Sequence, residues 1–301
     1  MRTSPSLSVT LPLICALALL LAGRQEPASA QADRDERTLY ASALDRHDVP
    51  VEGLGPDAFV VTENGVRREV LRASPAVEPI DVSVLVDNSA TASDEITFFR
   101  SGLAAFVDAL TPEHRVALVG LAERPTILVS STTDTTRLVE RVTGLFALPQ
   151  SGMTLLDAMV EVSEGLRKRN PARAAIVALI TDGTEFTDRY SRDVVATLAR
   201  ERVSVHLVAV GRFVNDTSHA DRERAFFIVD APRATGGHIR TMLTAHAVDE
   251  QLRRVARELT SQYAVVYARP RSLIPPDTVE VTSAREDLIV RGTPARTEKG
   301  D

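Results

Sequence analysis

The sequence predicts an α/β protein: a doubly wound, mostly parallel sheet with a small β-rich unit formed by the N- and C-terminal flanks. Three observations predict it. Unbroken aliphatic runs, IDVSVLVD (80–87), AAIVALIT (174–181) and VSVHLVAVG (203–211), alternate with helix-patterned stretches. Such runs are strands buried on both faces, as in a parallel sheet between helix layers. Outside this region, shorter alternating segments with turn signals read as antiparallel β. The 301 residues accommodate one large domain and a small appendage.

The elements follow in order. TLYASALD (38–45) alternates as a strand does, and AFVVTENGVRREVLRAS (58–74) places Asn64-Gly65 between two apolar runs, a hairpin signal. The proline-bearing SPAVEP (74–79) marks a boundary. After the strand at 80–87, residues 94–110 carry Ile96, Phe99, Leu103, Phe106, Val107 and Leu110 at helical spacing. Strands are expected at 115–122 and 126–130, and helices at 136–146 and 154–169. The strand at 174–181, a helix at 191–202, the strand at 203–211 and a helix at 224–237 come next. A short strand at 238–243 and an amphipathic helix at 247–263 complete the α/β region, and 263–270, 277–284 and 287–292 return to β. The expected division is a signal peptide at 1–30, a β flank at 31–77, the α/β domain at 78–262 and a second β flank at 263–301.

Composition narrows the function. Trp is absent and aromatics make up 4%, so the core is aliphatic. A net charge of −6, with arginines interleaved among acids, gives no basic surface for nucleic acid. The first thirty residues combine Arg2, the short apolar run LPLICALALLLAG and Ala28-Ser29-Ala30 before Gln31, the pattern of a cleaved secretory leader. That run is too short to span a bilayer, and no other candidate follows. The expected protein is therefore exported, periplasmic or extracellular, with no transmembrane segment in the mature chain. Its only cysteine, Cys15, leaves with the leader, so the fold rests on a core without disulfides.

Ligands of open α/β sheets bind beyond the carboxyl ends of the strands. Asp87 and Asp182 stand at two such ends, Ser89 and Thr91 follow the first, and Gly152-Met153-Thr154 opens a helix. If the strands from 80 and 174 are neighbours, two carboxylates and three hydroxyls converge. Hard oxygen donors of this kind suit Mg²⁺, Mn²⁺ or Ca²⁺. The competing interpretation is local: Thr91 with Asp94 resembles a capping box, Thr154 an N-cap, and Asp182-Gly183 a turn. Asp157 is expected to support the site from behind or to cap, and Asp134 to begin a helix. His206 is expected to be a hydrogen-bonded core histidine. His219, with Asp216 and Asp221, falls in a stretch expected to be a solvated loop.

The constellation Asp87-x-Ser89-x-Thr91, Gly152-x-Thr154 and Asp182-Gly183 resembles the metal-ion-dependent adhesion site of the von Willebrand factor type A family. Thr91 departs from the pattern, which has Ser there. The likeness spans roughly residues 78–268. DAFVVTENG before the domain and VYARP after it are similar to a bacterial secreted subgroup. The resemblance implies a Rossmann-like domain whose cation, Mg²⁺ in the first instance, is held by Asp87, Ser89, Thr91, Thr154 and Asp182. It also implies a coordination position left for an acidic residue of a protein partner, and hence an exported, non-enzymatic binding module.

Two other functions are weighed. One is a structural envelope protein with a degenerate, metal-free site. The other is a metal-dependent hydrolase. No Walker loop, G-x-G-x-x-G or G-x-S-x-G occurs, and no histidine is placed as a general base.

Overall fold

The aliphatic runs form the central sheet of the computed structural model, which describes residues 34–213, 218–271 and 273–295. Its strands are β5 (Ile80–Val86), β6 (Arg115–Gly120), β7 (Thr126–Thr132), β8 (Arg173–Thr181), β9 (Ser204–Val210) and β10 (Ile239–Met242). They lie in the order β10-β9-β8-β5-β6-β7, parallel except for the antiparallel edge strand β7. The expected leader at residues 1–30, its junction at Gln31, and Asp216 lie outside the described residues.

The two-residue period of a strand divides the core. Val82, Val84 and Val86 of β5, with Ala175, Val177 and Leu179 of β8, face α1 (Ile96–Leu110), α2 (Thr135–Thr143) and α6 (Val248–Thr260). Leu85, Ile176, Ala178 and Ile180 face α3 (Leu155–Arg169), α4 (Ser191–Arg200) and α5 (His219–Thr235). The apolar spacing expected of α1 is its buried face: Phe99, Leu103, Phe106, Val107 and Leu110 are all inside. Asp134 caps α2, its carboxylate accepting Arg137 N at 3.0 Å.

The flanks build two antiparallel sheets. β1 (Arg34–Leu44), β4 (Val70–Pro75), β11 (Tyr263–Pro270) and β13 (Ile289–Pro294) pair in the order β13-β1-β11-β4. β2 (Phe59–Glu63), β3 (Val66–Arg68) and β12 (Val279–Ser283) pair as β12-β2-β3. Leu39, Ala41, Phe59, Val61, Tyr263, Val265, Tyr267 and Val281 form one cluster between them. Asn64 and Gly65 make the β2–β3 turn with φ of 47° and 76°, the two left-handed positions that a type I′ hairpin requires. A buried ionic network joins this unit to the α/β layer. Glu258 of α6 accepts Arg291 of β13 at 3.0 Å and Arg240 of β10 at 3.4 Å, and Arg240 also reaches Asp48 at 2.8 Å.

Two sequence expectations need correction. The stretch expected to be a solvated loop instead contains the start of α5. Ser218 caps the helix, accepting Asp221 N at 3.0 Å, and Asp221 is buried against Arg224 at 3.2 Å. A serine followed three residues later by an acid is a helix-start signal hidden in a polar context. His206 is fully buried in β9, as expected, but neither ring nitrogen has a hydrogen-bond partner among the described residues.

Burial drives the His206 pKa down to about 4, with the nearby Glu258 carboxylate opposing and Arg291, His238 and Arg240 adding to it. The native state therefore binds fewer protons than the unfolded chain between about pH 6.5 and 4. His206 contributes stability that is present above the unfolded pKa and is lost as pH falls through that window. The full effect is on the order of 3 kcal/mol. Urea unfolding of the parent and His206→Leu between pH 7 and 4 checks this. The parent should lose the larger share of its stability on acidification, and equal losses would contradict the assignment.

Candidate metal centre

β5 and β8 are parallel neighbours with Val86 opposite Leu179, so the chain leaves both strands at one edge, toward Asp87 and Asp182. The chain runs from β5 to β6 and β7 on one side and then crosses to β8 on the other. The connections diverge there, which is where a doubly wound sheet opens a crevice.

Asp87 is completely buried. Its Oδ1 accepts Ser89 N at 2.8 Å, and its Oδ2 accepts Thr181 N at 3.2 Å and the Thr181 hydroxyl. Ser89 is also buried, and its Oγ has no hydrogen-bond partner among the described residues. Thr91 lies in a 3₁₀ turn (Ala90–Ser93) and is exposed. Its hydroxyl packs on Gly183, where a Cβ would stand 2.5 Å from Thr91 Oγ1. The absence of a side chain at 183 is what lets the first loop meet the Asp182-Gly183 turn. Asp182 is exposed; its Oδ2 accepts Arg212 N at 2.8 Å, and the carboxylate rests against Gly211.

Thr154 is buried at the N-terminus of α3, but its hydroxyl donates to Leu121 O at 2.8 Å instead of capping. The Thr91 hydroxyl caps neither the 3₁₀ turn nor α1. The capping interpretation of the two threonines therefore has no bond to stand on. Asp157, in the first turn of α3, is ion-paired with Arg189 at 2.5 Å, where it ties down the segment after β8. The loops are also joined through their backbones: Ala90 N bonds Ser151 O at 3.3 Å and Met153 N bonds Thr184 O at 2.9 Å.

Three residues not singled out in the sequence complete the frame. Thr181 orients Asp87. Asn88 accepts Leu121 N at 3.0 Å and Ala122 N at 3.1 Å through Oδ1, fixing the end of β6 to the first loop. Glu185, buried, accepts Leu155 N at 3.2 Å and Leu156 N at 3.4 Å, so it caps α3 in place of Thr154. Burial pushes the Glu185 carboxyl up to about 8, against those two bonds and Arg224. A hydroxyl closing the otherwise aliphatic run AAIVALIT was the available signal for Thr181. Glu185 gave none, because it caps a helix thirty residues earlier in the chain.

The donor set suits a hard divalent cation. Ser89 Oγ is buried and unpartnered, so its lone pairs are uncommitted. The Thr154 hydroxyl spends its proton on a carbonyl and keeps its lone pairs. Asp87 is buried and among the described residues has no ion pair to Arg or Lys; its hydrogen-bond donors are neutral. Among the described residues no three His, Cys, Asp or Glu side chains cluster as a ligand set, so a site here draws on hydroxyls.

Residues 80–185 match the family model of the von Willebrand factor type A domain. The chain carries a von Willebrand factor type A domain. Among solved structures, it is similar to a von Willebrand factor type A protein from Catenulispora acidiphila at 13% identity and TM-score 0.51. That likeness covers 83% of this chain and 67% of the other. It is also similar to proximal thread matrix protein 1 of the mussel byssus, with a zinc-occupied MIDAS motif, at 13% identity and TM-score 0.50. There it covers 66% of this chain and 50% of the mussel protein. BatB from Bacteroides thetaiotaomicron is matched at 12% identity and TM-score 0.47, over 60% of this chain and all of that one. No curated protein sequence matches the chain. The von Willebrand type A domain accounts for the doubly wound sheet, and the two antiparallel sheets are additions to it.

The geometry yields an asymmetric outcome for two hydroxyls. In EDTA, Ser89→Ala should leave stability unchanged or raise it, because it removes a buried hydroxyl with no partner. Thr181→Val should cost about 1.5–3 kcal/mol, the usual value of a hydrogen bond to a charged group. Urea unfolding in metal-free buffer measures both. A loss of ~1 kcal/mol for Ser89→Ala would instead identify a capping hydroxyl.

Proposed function

We propose that the protein is an exported binding module that engages a protein partner through a divalent cation held at the β5–β8 edge. The observation that carries this is the Ser89 hydroxyl, buried beside Asp87 with no hydrogen bond among the described residues. A buried polar atom without a partner costs stability, and a ligating role offsets that cost. Ser89, Thr91 and Thr154 would contribute neutral oxygens, and Asp87 and Asp182 negative charge. The metal, Mg²⁺ by preference with Mn²⁺ or Ca²⁺ as substitutes, would supply an electropositive coordination position for a partner's carboxylate.

The chain's own residues set the conditions for that contact. Asp87 is locked by Ser89 and Thr181, so it neither swings out nor takes up an arginine from the partner. Gly183 lets Thr91 approach the Asp182 turn. The mussel protein with its zinc-occupied MIDAS motif is consistent with this use of the fold. The hydrogen-bond partners of the Asp87, Thr154 and Asp182 side chains are backbone groups and Thr181, which favours holding an ion over acid–base chemistry. The first thirty residues support export, and no helix among the described residues is long and apolar enough to cross a membrane.

Thermal melts of the parent and Ser89→Ala, each in millimolar Mg²⁺ and in EDTA, test the cation. Ligand linkage should raise the parent's melting temperature in Mg²⁺ and leave that of Ser89→Ala unmoved. Thr91→Ser, which removes a methyl and keeps the hydroxyl, should respond at least as strongly as the parent. Identical responses in parent and Ser89→Ala would remove the cation from this site. For export, mass spectrometry of the cellular protein should find its N-terminus at or near Gln31, and a chain retaining residues 1–30 would refute it.

A further inference from the structure

A cleft of about 160 Å³ opens beside the candidate metal centre, between the edge strand β7 and the C-terminal end of α2. Its wall is mostly carbon: Ala122, Leu128, Leu145, Phe146 and Leu148 line it. Phe146 is 57% exposed, so a large aromatic stands at the mouth with most of its surface in water. The size is that of a single ring, since an apolar cavity of ~150 Å³ accommodates benzene.

Three polar side chains complete the lining: Thr126, whose hydroxyl donates to Arg124 O at 3.2 Å, and two unspent donors, Asn88 and Arg141. Asn88 uses its Oδ1 on Leu121 and Ala122, while its amide NH₂ group has no hydrogen-bond partner among the described residues. Arg141, exposed on α2, makes no hydrogen bond or ion pair there either. Among the described residues no Asp or Glu lines the cleft. An apolar slot whose uncommitted side-chain groups are two donors, one of them cationic, is complementary to a group that joins an apolar side chain to a carboxylate. Asn88 lies between Asp87 and Ser89 in sequence, so the cleft and the metal centre share one loop. Gly120 keeps that shared wall in place, because a Cβ there would stand 2.9 Å from Asn88 Oδ1.

We propose that this cleft is a second anchor for an acidic protein partner, taking one aromatic or leucine side chain while Arg141 takes a neighbouring carboxylate. The inference deepens the proposed function and rests on it for the identity of the partner, but the cleft does not need the cation. Contact at two points on one face would give selectivity that a lone carboxylate on a metal lacks.

The probe is 3-phenylpropanoate, which carries a ring and a carboxylate, with 3-phenylpropan-1-ol as the uncharged control. Amide correlation spectra of the full chain are recorded in EDTA. Saturable shifts are expected at Gly120, Ala122 and Gly144, with the alcohol binding about tenfold more weakly. Thr126→Trp, which fills the mouth from an exposed strand position, should abolish the shifts. Arg141→Glu should weaken the acid about tenfold and leave the alcohol unchanged. Unperturbed amides elsewhere in both variants establish that they fold. The absence of saturable shifts in the parent, or equal binding by parent and Thr126→Trp, overturns the proposal, as does an acid affinity indifferent to Arg141→Glu. Because the measurement excludes metal, a protein that binds the probe but not Mg²⁺ sinks only the cation, and the converse sinks only the cleft.

Discussion

The buried carboxylate of Asp87 is the constraint on which the rest of the site depends. It stands at the end of a fully buried strand, where an unsatisfied charge is untenable. The protein satisfies it with three neutral donors, Ser89 N, Thr181 N and the Thr181 hydroxyl, and with no guanidinium. Those bonds run along the first loop and across to β8, so one side chain sets both the path of residues 87–91 and the spacing of the two strand ends. Everything placed afterward is aligned to that frame: the Ser89 hydroxyl left without a partner, Asn88 reaching β6, and Thr91 lying on Gly183.

The α/β layer was legible because its signals are strong and local. The runs around Val84, Val177 and Val208 are too continuous for a one-sided strand, and the stripe from Phe99 to Leu110 has only one face to bury. That the chain reaches Asp87 and Asp182 at one edge of the sheet followed from topology alone, once β5 and β8 were adjacent and parallel. The hairpin at Asn64-Gly65 was equally direct, since few residue pairs accept two successive left-handed conformations.

What escaped the sequence was how buried polar groups are satisfied. That Thr154 would leave α3 uncapped, and Glu185 would cap it, depends on the loop after β8 crossing back over the helix start. The early start of α5 was masked because Ser218 and Asp221 sit in a polar stretch whose burial is decided by Arg224. His206 was expected to find a partner, and its nitrogens find none among the described residues. Only the first of these turned on a distant partner: Glu185 lies thirty residues from the helix start it caps, whereas Ser218, Asp221 and Arg224 are spaced three apart and the His206 nitrogens have no partner among the described residues.

The flanks add a separate layer of constraint. Glu258 is held by arginines from β10 and β13, so α6 and the antiparallel sheets are fixed to one another by buried charge as well as by packing. The α/β layer thus presents its carboxyl edge, and the cleft beside it, from a body braced on another side. The central claim concerns the oxygen atoms at that edge. A crystal soaked in Mn²⁺ and measured at the manganese absorption edge tests it most directly. The account predicts an anomalous peak within bonding distance of Ser89 Oγ and Thr154 Oγ1. A map with no peak at those atoms, or with manganese bound only elsewhere, would contradict it.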